Sequence, residues 1–364
     1  MKKAKEPKIV KEPKVKKLTK KQLAAAAMAE TMPEATVKKV VDSRLIRISI
    51  RSLQDMQQLR VQNGNRLAAA FRAKLGLLPS QKENEDAEAL KLLTTLRDEY
   101  KRITDGVKKI TTKFKSDSKI ITSHSELVLI EAYEMQIAAE HIHSKAIADE
   151  LLLEPIWTEW LVNVRGVGPL SAGVIVSEID IHKCNSISAL YKYCGLDVVT
   201  VVNEKTGESV SEGRNRTKAH LVPKHYIDKD GEPKETEGIS YNPLLKTKMV
   251  FVLADVFIKL GGVYRVEYDN YKHRYQNHPA HMNKTPGHIH AMARRAMIKE
   301  FLADLWYCWR ILEGLPVRVP YAEEKLGIKH SKPKNMYVTD FEKRMAERGV
   351  SINYVKPLYQ SELE

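Results

Sequence analysis

Two stretches of this 364-residue sequence gather residue types that can hold or attack a phosphate. The first is Gly207-Glu-Ser-Val-Ser-Glu-Gly-Arg-Asn-Arg-Thr-Lys218, where the hydroxyls of Ser209 and Ser211 precede Arg214, Arg216 and Lys218. A serine oxygen attacks a phosphodiester when a base or metal activates it and cations hold the developing charge. The plainer reading is a polar linker loop. The second stretch is Leu161-Val-Asn-Val-Arg-Gly-Val-Gly-Pro-Leu-Ser171. It predicts a helix, a tight turn over Arg165, Gly166, Val167 and Gly168, and a second helix opening at Pro169. Glycine permits the turn and a close neighbour, and proline at a first helical turn gives up no hydrogen bond. The free N–H groups up to Ser171 form a positive concavity suited to a phosphate oxygen. That is how a helix-hairpin-helix grips a nucleic-acid backbone without reading bases. An ordinary corner between core helices is the competing reading; the basic chain favours the first.

Other candidates are weaker. A last long helix carries Arg294 and Arg295, with Lys299 and Arg310, opposite an apolar side of Ala293, Ala296, Leu302, Leu305, Trp309 and Leu312. Phosphate contact by Arg294 and Arg295 stands even with a solvated cationic face. Tyr264, Tyr268, Tyr271 and Tyr275 form one stripe at helical spacing, which fits packing better than base stacking. His290 and Arg294 are one residue too far apart for the His-x-x-Arg element of a tyrosine recombinase. The histidines at 273, 278, 281, 288 and 290 have no metal-site spacing and no accompanying cysteine, so no metal ligand set is assigned. His141 is expected on an inner helical stripe.

Sixty Lys and Arg against 46 Asp and Glu leave a net charge of +14, a field that attracts polyanions. Duplex DNA is the expected partner, ahead of an anionic membrane. The three cysteines, Cys184, Cys194 and Cys308, suit a reducing compartment. With no apolar span and no signal-peptide core, a cytoplasmic, nucleoid-associated protein is expected.

The fold class expected is mainly α: long N-terminal helices, then a helix-hairpin-helix-containing helical domain with a small β-hairpin excursion. Residues 1–45 read as a basic disordered arm, with ten lysines and two glutamates in the first 21 positions. Residues 46–154 read as a helical bundle or coiled arm, although 44–50 could be one strand. Helical periodicity starts near Ser52 and runs through Leu59, Leu67 and Phe71. It resumes at Ala89, Leu93, Leu96 and Tyr100, and again at Ile130, Tyr133, Ile137 and Leu151. Residues 155–314 form the second domain, with a short helix at 189–195, a hairpin of 198–202 with 209–210, and a polar loop over 211–243 turning at 229–232. Helices follow at 244–260, 263–275 and 289–312. Residues 315–364 read as a loosely attached charged tail.

Over roughly 155–312 the chain resembles the C-terminal domain of the DEDD-type insertion-sequence transposases, the family of the pilin-gene invertase and the bridge-RNA-guided recombinases. Leu161–Ile179 is similar to the family's glycine-rich hairpin, and Ile187–Leu196 to its "Ser…Leu…Tyr-x-Gly-Leu" segment. Asn242–Lys248, the Tyr268 region and Ala293–Lys299 resemble its closing helices. The resemblance implies transposition or site-specific recombination, with Ser211 of Ser211-Glu-Gly213 as nucleophile, magnesium where the protein is catalytic, and a guide RNA and homo-oligomerisation as further expectations. The first half departs from the family. Its acidic metal-binding nuclease domain is not recognisable, and Glu85 and Asp86 read instead as a helix N-terminus. A non-catalytic nucleic-acid scaffold of a mobile element or phage is the second reading, and a basic RNA-binding protein the third.

Overall fold

The computed structural model describes residues 34–77, 85–107, 111, 114, 116–202, 207, 209–229, 231–318 and 334–355. The chain divides into two units, Met1–Arg44 and Leu45–Glu364. The first is described only from Glu34, as the opening of a helix. Most of the expected basic arm, 1–33, lies outside the described residues.

Helix α1 runs Glu34–Lys74, α2 Glu85–Thr104 and α3 His124–Leu151. The arm expected over 1–45 is therefore corrected at its end, because 34–45 is helical. The strand entertained for 44–50 is corrected too. Ile46, Ile50 and Leu53 recur at helical steps and are all buried, so tertiary burial overrides the β-propensity of the isoleucines. Glu85 and Asp86 do stand in the first turn of α2.

The three helices share a core of Leu67, Ala68 and Phe71 from α1, Leu93 and Leu96 from α2, and Leu127, Ile130 and Tyr133 from α3. A capping box of Ser123 and Glu126 starts α3, and Lys74 Nζ donates to the same Glu126 at 2.7 Å. His141 is exposed, contrary to the inner-stripe expectation. The stripe advances Ile130, Tyr133, Ile137 and then Glu140, which meets Arg60, so His141 falls one position outside it.

A second, larger core gathers Ile46, Ile50 and Leu53 of α1 and Ile147 and Leu151 of α3 with the later helices. At its centre lies α5, Pro169–Glu178, whose residues 172–178 are all buried. It follows α4, Pro155–Glu159, and a 3₁₀ turn at Leu161–Asn163. A Cβ at Gly173 would meet Ile147 Cγ2 at 2.7 Å and Ile50 Cδ1 at 3.0 Å, so the missing side chain is what lets α1 and α3 close on α5. Next come α6, Ile187–Tyr193, and two antiparallel hairpins. Strands β1 (Val198–Val202) and β2 (Ser209–Gly213) pair with Thr200 opposite Ser211. Strands β3 (Val222–Ile227) and β4 (Pro233–Gly238) pair with Lys224 opposite Thr236. This second hairpin corrects the polar loop expected over 211–243. Both its strands are mostly exposed and carry proline, so no alternation of apolar residues announces them.

Helix α7, Pro243–Thr247, leads through a π-helical segment, Lys248–Leu253, into α8, Ala254–Leu260. Then α9, Val263–Gln276, packs along α10, Pro286–Leu312. Trp160, Phe257, Tyr264 and Phe301 stack edge and face at the centre, with ring centroids 4.9–5.9 Å apart. The tyrosine stripe is packing: Tyr264 and Tyr268 are buried, and Tyr271 and Tyr275 lie against the core. The loosely attached tail is corrected over 334–355. Helix α11, Met336–Glu347, buries Val338, Phe341 and Met345, and Trp160 Nε1 donates to Tyr337 O at 3.2 Å.

Candidate nucleic-acid interface

Four of the residues singled out in sequence, Arg165 to Gly168, belong to the turn before α5, and a fifth, Ser171, to its first turn. Gly166 has φ +99°, and a Cβ there would meet Phe257 Cδ1 at 3.0 Å and Val256 Cγ1 at 3.2 Å. Its task is to seat the turn on α8. Val167 is buried and its N–H donates to Val164 O at 3.0 Å, so the contact expected of it is corrected: it anchors the turn. Gly168 is the exposed N-cap of α5, with open space where a Cβ would stand and no side-chain cap. The N–H groups at Gly168, Leu170 and Ser171 thus face outward at the positive end of a helix dipole. The Arg165 side chain is exposed beside them, while its backbone N–H donates to the Tyr337 hydroxyl at 3.3 Å.

The loop after β2 and helix α10, far apart in sequence, meet. A Cβ at Gly213 would lie 3.9 Å from Arg295 Nη1. Lys246 on α7 donates to Arg214 O and lies 4.6 Å over the Tyr241 ring. Burial and the field of Arg295 depress the Lys246 pKa, with Arg214 and Arg216 adding to the effect and Asp197 opposing it. Lys299, 5.4 Å over the Tyr191 ring, is likewise depressed by burial and by Arg295. For both lysines burial is the largest cause, and the positive charge of Arg295 adds to it.

Asp197 acts on both lysines, and it is occupied. Arg214 binds it with Nε at 3.0 Å and Nη2 at 2.7 Å, leaving the Arg214 side chain 10% exposed. Arg214 is therefore corrected from phosphate contact to scaffold. Arg294 is corrected in the same way: it pairs with Asp255 at 3.0 Å, donates to Phe251 O at 3.2 Å and lies 5.2 Å over the Phe251 ring. Arg216 remains exposed and Arg295 partly so, and neither makes an ion pair with a described residue. Lys218 is exposed at the start of a 3₁₀ turn, with no described contact joining it to the others. Lys246 was missed in sequence, and Lys299 was named only among the cations of its helix, although both sit inside stretches that carried the family resemblance.

Ser211 is exposed on β2, and its cross-strand neighbour is Thr200. Strand alternation puts it on the face of Gly213, the side from which Arg295 approaches. Glu212 points to the other face, where its Oε2 lies 3.7 Å from Nε2 of the buried His220. His220 Nδ1 accepts the Asn215 N–H at 2.9 Å. This acid and imidazole are therefore turned away from Ser211, which has no general base among the described residues. No group of three or more His, Cys, Asp or Glu among the described residues is placed to hold a metal ion. The five-histidine stretch resolves into local contacts, such as His290 Nδ1 with the Tyr268 hydroxyl at 2.6 Å.

Comparison of the chain with known protein families, with curated proteins and with solved structures finds no match. Among the described residues no helix is long and apolar enough to cross a membrane.

Proposed function

We propose that this chain binds duplex DNA through its phosphate backbone, as a transposase-like component of transposition or site-specific recombination or a descendant of one. The observation that carries the binding is that Arg216 and Arg295 lie within electrostatic reach of Lys246, and Arg295 of Lys299 too, while Asp197, the carboxylate that acts on both lysines, is already paired with Arg214. The uncapped start of α5 supplies a second set of donors. Phosphates fit cations and backbone N–H groups that offer no base-reading pattern. Recombination rests on the family resemblance alone, and the placement of Ser211 supports binding better than strand cleavage by the isolated chain. Magnesium, a guide RNA and self-association belong to the same proposal.

The test is a salt titration of duplex binding. Affinity should depend weakly on sequence, and log K should fall linearly with log salt. Exchanging Arg216 and Arg295 for glutamine should flatten the slope by about two, roughly one for each phosphate no longer neutralised. An unchanged slope in the folded double variant would remove this face from the interface. On supercoiled plasmid with magnesium, little or no covalent protein–DNA adduct should form. Adducts that Ser211→Ala abolishes would instead establish a serine-dependent recombinase.

A further inference from the structure

Beside the cationic face lies a cleft of about 400 Å³, reached across Tyr241, whose ring carries Lys246 on one side and lines the cleft with its own edge. Four separate parts of the chain meet there: α1, the end of α5, the end of α6, and β3 with the segment leading into α7. Its floor is Glu178, whose side chain is fully buried. Glu178 Oε1 accepts from Arg51 at 2.6 Å and Oε2 from the Asn242 amide at 2.6 Å. Arg47, one helical turn before Arg51, stands 3.6 Å from Oε2, beyond hydrogen-bond range, with its side chain 56% exposed. Two guanidiniums on adjacent turns thus share one carboxylate, and one positive charge is left unbalanced.

The remaining groups of the cleft are donors. Lys224 of β3 is exposed on its rim. Strand alternation sends the neighbouring carboxylates Glu235 and Glu237 to the opposite face of that hairpin, in register with His225 and Pro223. Ser240 Oγ is shielded from solvent yet has no hydrogen-bond partner. The Tyr193 oxygen accepts from Asn242 at 3.2 Å, which leaves its own proton to donate. A site with a surplus of positive charge, an unused hydroxyl and no free carboxylate suits a ligand group that only accepts and is itself negative.

We propose that this cleft is a second phosphate site, which takes a phosphodiester of the DNA that crosses the Arg216–Lys246–Arg295 face and so gives α1 a direct part in binding. The proposal rests on the DNA-binding reading above. Arg47 and Lys224 hold the phosphate oxygens, Ser240 donates from the wall, and Glu178 fixes the two arginines in place while limiting their net charge.

The experiment uses the full chain and compares salt slopes of duplex binding for three proteins. Arg47→Gln with Lys224→Gln removes the more distant arginine and the rim lysine but keeps Arg51 and Asn242 on Glu178, so the fold should hold by circular dichroism. Its slope should fall by about one, because one phosphate is no longer neutralised. Glu178→Gln removes the opposing charge and should steepen the slope and tighten binding, the reverse of what a purely structural ion pair would do. An unchanged slope in the double variant, or weaker binding by folded Glu178→Gln, would overturn the cleft while leaving the Arg216 and Arg295 result standing. Wild-type protein without salt-dependent binding would defeat the parent reading and this one together. Inorganic phosphate that raises the wild-type melting temperature but not that of the double variant, while their DNA slopes agree, would assign the cleft to a small free anion and overturn its place on the DNA path.

Discussion

At the scale of single residues, charge in the sequence is a poor guide to charge available at the surface. Arg294 and Arg295 are neighbours of one type, yet the helix turns them to different surroundings. Arg294 is held by Asp255 and the Phe251 carbonyl, whereas Arg295 faces the end of β2 with no described ion pair. Exchanging Arg295 alone for glutamine should reduce the salt slope of DNA binding by about one. The same change at Arg294 should leave the slope unaltered and lower the melting temperature, since it strands Asp255 and loosens Phe251. Equal slopes for both variants would show that the ion pair opens when DNA arrives. Arg214 teaches the same lesson, because a sequence shows a cation but not the carboxylate that reaches it from 17 positions away.

At the scale of elements, the hairpin before α5 was legible because glycine and proline act locally. Which glycine does what was not, because that depends on α8. Gly166 combines φ +99° with a Cβ site 3.0 Å from Phe257, so Gly166→Ala is strained twice over and should cost more than about 1 kcal/mol of stability. Gly168 has ordinary negative φ and empty space around it, so Gly168→Ala should leave thermal unfolding nearly unchanged. Unfolding curves followed by circular dichroism would check the pair, and equal losses would mean the turn is not seated on Phe257. The β3–β4 hairpin and α11 escaped the sequence for opposite reasons. The strands are mostly exposed on both faces, while α11 buries a short stripe of Val338, Phe341 and Met345 inside an otherwise charged stretch.

At the scale of the whole molecule, the C-terminal segment is fastened to the core by a carboxyl group that is nearly engulfed. Asp304 Oδ2 accepts from the Tyr264 hydroxyl at 2.9 Å and from the amide of Asn335, the N-cap of α11. Burial pushes the Asp304 pKa up to about 7, a rise opposed by those two hydrogen bonds and aided by Glu300 and Glu267. In the unfolded chain the group returns to the ordinary carboxylate range, so the native state binds more protons between about pH 4 and 7. Its contribution is full below that window and is lost as pH rises through 7, by up to about 1.4 kcal/mol per pH unit. Asp304→Asn keeps an acceptor oxygen without the charge, and should flatten the stability profile across this window. A variant whose profile keeps the wild-type slope would show that other groups set it.

The sequence by itself determined the mainly helical fold, the placing of the last long helix, the first hairpin and the basic character of the chain. These follow from propensity, periodicity and composition, which act over a few residues or sum over all of them. Tertiary structure decided the rest. It turned 44–50 from an apparent strand into part of α1 that buries Ile46 and Ile50, and brought α11 back onto Trp160. It also paired Arg214 and Arg294 with distant carboxylates, while bringing Arg216 and Arg295 within electrostatic reach of Lys246, and Arg295 within reach of Lys299. Which cations neutralise each other depends on separations of a few ångströms between residues tens of positions apart, and local sequence carries no record of those distances.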